Sequence, residues 1–364
     1  LWSERFDREL EDVFEVQDEI TGQILSKLKT GFKTAVLSSH AHKSINPEAY
    51  DLYLKGRYNW NKQSVDKALD FYQLALRVDP EFALAFAAVA EAYVMLSIGF
   101  DLIPSRDAFP KAAAAAQKAL DLDPEMAEAH VSLALVATFF DWDHLAAKKH
   151  FDKALDLNPS LSAAFMWSEL YFSFLMGDFD QALERIKKAE ELDPLNLLIK
   201  IRHGYVYVYR REYDKAIDYF KKLTELEPGL PMGYHALMDA YGQNKQYDKA
   251  IEAGEKTLEL GGKGTAHLGV LGYYYGLAGQ KDKAVELITM LKAKSEEGYA
   301  SSFWVAAMYY TIGDLDKAFQ WFEKSYEERD GNLIYITTPP QFDGLRTDPR
   351  FAKLLKKMKL DHLL

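Results

Sequence analysis

The residues of this chain best suited to chemistry are its histidines and carboxylates, and neither set has the spacing of a reaction centre. His40 and His42 form an H-x-H pair in a polar stretch. A metal site needs three or four convergent ligands, each steadied by a further partner, and two imidazoles alone fall short of that. His235 and Asp239 stand four apart, one helical turn, so they are expected to meet as a hydrogen-bonded structural pair. A catalytic dyad would need a nucleophile and an oxyanion donor beside it, and none is near in sequence. The GGKG stretch at 261–264 lacks both the preceding strand and the Lys-Ser/Thr ending of a phosphate loop. There is no G-x-S-x-G elbow. The absence of cysteine removes disulfides, thiolate metal sites and cysteine nucleophiles together. No catalytic residue, metal or cofactor is therefore assigned. Binding is the better use of what remains: Trp60, Tyr205, Tyr273 and Tyr310 fall off the packing positions of their helices, and exposed rings on a concave surface are what interfaces use as anchors.

The elements that would position those rings repeat. In GDFDQALERIKKAEELDP, residues 177–194, a Gly ends one helix and an acidic turn opens the next. Ala182 and Ala189 then share a helical face, and Asp193-Pro194 closes the unit. The same spacing of Ala, Ala and Pro recurs at Ala68, Ala75, Pro80; at Ala112, Ala119, Pro124; and at Ala147, Ala154, Pro159. Weaker copies start at Ala216, Ala250, Ala284 and Ala318. Proline cannot continue a helix and pushes the residue before it out of helical geometry, so each second helix ends there. Small residues such as Gly56, Ala90, Ala134, Gly204, Gly272 and Ala306 let first and second helices approach, and aromatics such as Tyr72 and Phe220 fill the space between them. An acidic residue opening the second helices, among them Asp66, Asp180, Asp214 and Asp316, suits the positive end of a helix dipole. Self-similarity at a period near 34 residues predicts an all-α fold: a right-handed superhelical solenoid of about eight helix-turn-helix units over 47–330.

Composition agrees with a folded, non-membrane chain. Of 364 residues, 48% are hydrophobic and 27% charged, and the formal net charge is −11. A phosphate-reading surface needs a dense basic patch; Lys148-Lys149, Lys187-Lys188 and Lys221-Lys222 are isolated pairs on solvated faces, so no nucleic-acid partner is expected. The most apolar stretch, 82–100, contains Glu91 and keeps the repeat phase, which predicts a buried helix and no membrane insertion.

Outside the repeats, residues 1–46 are expected to hold the tail of an edge strand (LWSERFD), an amphipathic helix over 9–29 and a linker, as a piece of something longer. Residues 331–364 are expected to cap the bare end of the solenoid, with Phe351, Leu354, Leu355 and Met358 on one side of a short helix. Three departures interrupt the pattern. The second unit carries about ten extra residues at 98–107, expected to extend its first helix or to form a flap. The third has one extra residue in FDWDH, 140–144, and the register of the fourth is ambiguous by one. The sixth closes with Gly261-Gly262 in place of proline.

These units resemble the tetratricopeptide repeat. LWSERFDRELEDVFEVQDEI, DWDHLAAKKHFDKALDLNP, ELDPLN and LRTDPRFAKLLKKMKL are similar, taken together, to the C-terminal region of bacterial modular signalling proteins that carry a class III nucleotide cyclase, a winged helix or a Ser/Thr kinase upstream. The resemblance implies a non-catalytic protein- or peptide-binding scaffold, the regulatory arm of such a protein. It implies a concave groove lined by inward positions of the first helices: Tyr53, Arg57, Trp60, Ala87, Glu91, Val131, Leu135, Ile201, Tyr205, Val208, His235, Asp239, Tyr273, Phe303 and Tyr310. Tyr53 and Ala88 stand where a carboxylate clamp would need polar donors, so a chaperone-tail adaptor is disfavoured. The track is aromatic and aliphatic, and the partner implied carries an apolar or amphipathic segment. Two alternatives stay open, a self-associating homodimer module without a foreign ligand and a cryptic hydrolase or transferase. A cytoplasmic location is expected, or a periplasmic one if a membrane helix lies upstream.

Overall fold

The computed structural model describes residues 46–364 apart from 63, 100, 262, 263 and 338. The strand, helix and linker expected over 1–45, with His40 and His42, lie outside the described residues. The chain divides into two compact units, 1–85 and 86–364. In the first, Asn46 accepts hydrogen bonds from the main-chain N–H groups of Glu48 and Ala49, and Pro47 occupies the first helical position, where a missing N–H costs nothing. Helix α1 (Pro47–Asn61) and α2 (Val65–Val78) then pair. Gly56 lets them close: a Cβ there would collide with the Tyr72 ring. Tyr53 lies against Tyr72 and Phe82, at 5.7 and 5.4 Å between ring centres.

Helix α3 (Ala83–Ile98) runs from the first unit into the second. There follow α4 (Ser105–Leu122), α5 (Ala127–Val136), α6 (His144–Leu157), α7 (Ser162–Leu170), α8 (Phe179–Leu192), α9 (Leu197–Tyr209) and α10 (Tyr213–Leu226). The last pairs are α11 (Pro231–Gln243) with α12 (Tyr247–Glu259), α13 (Thr265–Leu277) with α14 (Lys281–Glu297), and α15 (Ser302–Thr311) with α16 (Leu315–Glu327). The fold is an all-α helix-turn-helix solenoid, with no strand among the described residues.

The repeated Asp-Pro closure acts through hydrogen bonds as well as sterics. The N–H groups of Asp123, Asn158 and Asp193 donate to the carbonyls of Ala119, Ala154 and Ala189, at 2.8 to 2.9 Å. In the first two closures the cap's own side chain then accepts from the N–H two residues on, in Glu125 and Ser160. This is the local turn Asp and Asn make best. The acidic residues that open the second helices, Asp66, Asp180, Asp214 and Asp316, sit at the second helical position, while Asp143, Asp178 and Asp314 supply the caps themselves.

The irregular third and fourth units share one cause. Each first helix ends in a π-helical turn, Ala137–Asp141 after α5 and Tyr171–Met176 after α7. A π turn absorbs one residue more than an α turn, which is why the fourth unit reads ambiguously by one. The insertion at 98–107 forms neither a flap nor an extension of α3. It doubles back inward: Asp101 takes a left-handed conformation, φ 50°, and is buried, and Ser105 begins α4.

After α16 the chain does two things. Two short 3-10 turns, Gly331–Ile336 and Pro340–Leu345, run across the inner side of the second unit. Helix α17 (Pro349–Lys357) then packs on α16: Arg350 lies over the Phe319 ring and bonds Asp316, and the Tyr326 hydroxyl meets the Lys357 carbonyl. The same end of the chain reaches earlier repeats. Arg329 donates to the Phe140 carbonyl and lies 4.8 Å over Trp142, which stacks on Tyr326. The His362 ring bonds the Leu175 carbonyl at 2.7 Å.

Candidate functional site: an inner wall closed by its own C-terminal segment

The inner wall of the second unit is built from first helices and is not open. Residues 331–337 and 339–345 lie on it. Gly331 N–H donates to the Ser105 hydroxyl and Asn332 to Asp101, both on the insertion. Tyr335 packs edge-on against Phe174 at 5.0 Å and beside Trp304. Phe342 is buried against Tyr273, Phe303, Tyr310 and Phe322. The Tyr273 hydroxyl donates to the Gln341 carbonyl at 2.8 Å, and Arg211 pairs with Asp343 at 2.6 Å.

Beneath this segment lies a cavity of about 140 Å³. First helices α3, α7, α9, α11, α13 and α15 all contribute to its lining, and the segment supplies Asn332, Tyr335, Gln341 and Phe342. Its charged groups are few and compensated unevenly. Arg202 on α9 donates twice to Glu169 on α7, at 2.9 and 2.6 Å, and Ser173 donates to the same carboxylate at 2.6 Å. Burial works against the guanidinium charge, but Glu169 outweighs it and holds Arg202 above its ordinary value. The guanidinium also lies 5.7 Å from the Tyr205 ring centre and 6.0 Å from that of Tyr209. Asp239 has no such cation. Its carboxylate accepts from the Tyr274 hydroxyl at 2.7 Å and the Gln341 amide at 3.5 Å, and burial pushes its pKa up to about 6.

The positions assigned from sequence divide three ways. Ile201, Tyr205, His235, Asp239 and Tyr273 come together as walls of the cavity. Val208 and Phe303 are buried, as are Ala87, Val131 and Leu135, while Tyr310 meets the crossing segment through Phe342 and Gly344. Glu91 is half-buried on α3. In the first unit Tyr53 belongs to the core, and Arg57 lies 5.9 Å over the Trp60 ring. His235 and Asp239 share the cavity without bonding each other. His235 exchanges a 2.9 Å Nδ1 to Nδ1 hydrogen bond with His267, and burial lowers the pKa of both, that of His267 to about 4. Sequence reasoning passed over Arg202, Glu169, Tyr335 and Gln341. A signal existed for two of them: Glu169 is the one charge in apolar α7, and Arg202 stands 33 residues on, one repeat later, in the mostly apolar α9.

Among the described residues there is no group of three or more His, Cys, Asp or Glu side chains that could hold a metal ion, and no helix is long and apolar enough to cross a membrane.

Comparison with known proteins agrees on the class. Residues 174–231 match the family model for a tetratricopeptide repeat. A putative adenylate cyclase 3 of Rhizobium meliloti (strain 1021) is 32% identical over 143 residues, 38% of this chain and 24% of that protein. The chain thus spans about a quarter of that relative's length. Among solved structures, an IFIT1 monomeric mutant with Gppp-AAAA is similar at a TM-score of 0.56 and 19% identity, covering 86% of this chain and 77% of that one. A tetratricopeptide repeat protein from Parabacteroides merdae ATCC 43184 is similar at 0.49 and 16%, covering 74% and 100%. The fold is that of a tetratricopeptide-type solenoid.

Proposed function

We propose that this chain is the protein-binding regulatory arm of a larger bacterial signalling protein, and that its inner wall receives an apolar or amphipathic segment of a partner. One observation carries the reading: that wall already holds such a segment in cis. Residues 331–345 present Tyr335 and Phe342 to aromatic walls, while Tyr273 grips the main chain at Gln341. Anchoring rings in pockets with polar contacts to the backbone is how extended peptides are recognised. The partner then competes with the chain's own segment, and release of residues 331–345 is the change that the larger protein reads. The matching relative, named as a putative adenylate cyclase and four times longer than the matched share, supports an effector domain on the same polypeptide.

The test uses a labelled peptide of residues 331–345, GNLIYITTPPQFDGL, offered in trans. A full-length variant with Tyr335→Ala and Phe342→Ala, whose own segment is weakened, should bind the peptide at least ~10-fold more tightly than the parent, since loss of two buried rings frees the wall. A folded variant that binds no peptide would reject the inner wall as a binding surface.

A further inference from the structure

Asp239 lines the cavity as a buried carboxylate whose hydrogen-bond partners are all neutral. Tyr274 and Gln341 donate to one oxygen, and the Tyr205 hydroxyl lies beside it. The ion pair of Arg202 with Glu169 is internally balanced, and burial disfavours the charged form of His235 and His267, so above about pH 6 Asp239 leaves the site with one uncompensated negative charge. A second acceptor stands next to it. Gln341 must turn its Nε2 toward Asp239, because the opposite orientation would set oxygen against oxygen; this leaves its buried Oε1 without a donor. Tyr205, Tyr273, Tyr335 and Trp304 line the same space. One acceptor without a donor, one carboxylate with only neutral donors and several ring faces are complementary to one kind of guest. A buried charge needs a partner and hydrogen bonds to be tolerated, and ring faces attract cations.

We infer that the cavity binds a small organic primary ammonium ion, its N–H groups taken by the Asp239 carboxylate and the Gln341 carbonyl oxygen and its charge set among the tyrosine rings. The space of about 140 Å³ is close to the roughly 150 Å³ of a cavity that accepts benzene, which limits the guest to about six non-hydrogen atoms. This reading does not rest on a protein partner. It adds a link to one, since Gln341 belongs to the crossing segment and a bound amine ties residues 331–345 to the wall.

The experiment titrates the full chain with n-pentylammonium chloride and follows tryptophan fluorescence, for which Trp167 and Trp304 lie at the cavity, and heat of binding. Sodium chloride at matched ionic strength and pentan-1-ol, equal in non-hydrogen atoms but uncharged, are the references. Saturable one-site binding of the ammonium is expected, with the alcohol at least ~10-fold weaker, and Asp239→Asn should reduce ammonium affinity at least ~10-fold while keeping the bond from Tyr274. Should Asp239→Asn fail to fold, Gln341→Met, on a half-buried residue, removes one acceptor and should also weaken the ammonium selectively. Non-saturable signals, equal binding of the alcohol, or affinity unchanged in the folded variants would each overturn the assignment and leave the cavity to water.

Discussion

The Tyr273 hydroxyl donates a 2.8 Å hydrogen bond to the main-chain carbonyl of Gln341, 68 residues further along the chain. A side chain on a first helix thereby holds the backbone of a crossing segment, and the ring of the same tyrosine packs edge-on to Phe342 at 5.9 Å. Polar contact to the backbone and apolar contact to the neighbouring side chain come from one residue. That combination needs little from the sequence of the segment beyond an aromatic in the right place, and so suits a wall that exchanges one segment for another.

Phe342→Ala should release that segment. Its ring is buried among four aromatics, and truncating a buried Phe lowers stability by about 3–5 kcal/mol. Amide hydrogen exchange should accelerate in residues 331–345 well before the helices of the solenoid are affected. Tyr273→Phe removes only the hydroxyl and should cost about 0.5–1.5 kcal/mol. Uniform acceleration across the whole second unit would show that the segment is an inseparable part of the core.

Glu169→Gln should destabilise by about 3–5 kcal/mol, because it leaves the Arg202 guanidinium buried without its counter-charge. The pair itself is not thereby a net stabiliser. Glu169→Gln combined with Arg202→Met should recover a large part of the loss, and a urea-unfolding cycle over the four proteins measures the coupling. If the double variant is as unstable as the sum of the singles, the two residues act independently.

Much of the solenoid was legible because its physics is local. Proline, the preceding Asp or Asn and the two alanines specify where each second helix ends, and their spacing is visible without coordinates. The π turns were visible only as one extra residue at 140–144 and as a register in the fourth unit that would not settle. Five of the positions that the tetratricopeptide resemblance implied for the groove, Ile201, Tyr205, His235, Asp239 and Tyr273, line the cavity. What closed the wall was not legible. Asn332 meets Asp101 and Gly331 meets Ser105 across more than 220 residues, and no periodic pattern connects an insertion in the second unit with a segment after the last. The expected open groove failed there: the residues assigned to a cap after 330 also fill the space the repeats enclose.

Gly204→Ala tests the close approach of helices in the fifth pair. A Cβ at Gly204 would collide with the Phe220 ring, which is itself fully buried. Overpacking of this kind lowers stability by about 1–3 kcal/mol, more than the gain of up to about 1 kcal/mol from replacing a helical glycine. Gly229→Ala, in the turn that follows, meets nothing within 4 Å and should be neutral or raise stability by a few tenths of a kcal/mol. Thermal unfolding of both reads the contrast, and a Gly204→Ala protein at least as stable as the parent would mean that the Phe220 ring has another place to go.

The last prediction concerns pH and the insertion. Asp101 is buried, with Asp330 facing it and Thr265 and Asn332 donating to it at 3.0 and 2.8 Å. Burial, and then the charge of Asp330, push its pKa up from 3.8 to about 7. Asp330 itself, bonded to Ser301 and the Phe303 N–H, is raised as well, again chiefly by burial. The folded carboxyl therefore keeps its proton where the unfolded one has lost it. Its contribution is fully present below about pH 4 and is lost as pH rises through about 7, the reverse of an ion-paired aspartate. A shift of about three units corresponds to at most roughly 4 kcal/mol. Asp101→Asn holds the neutral form throughout and keeps an acceptor for Thr265, so the stability of the variant relative to the parent should climb from about pH 4 and level off above about pH 7. Urea midpoints across that range give the difference directly. A flat difference would mean that Asp101 titrates alike in the folded and unfolded chain, and that the junction between the insertion and the crossing segment is open to water.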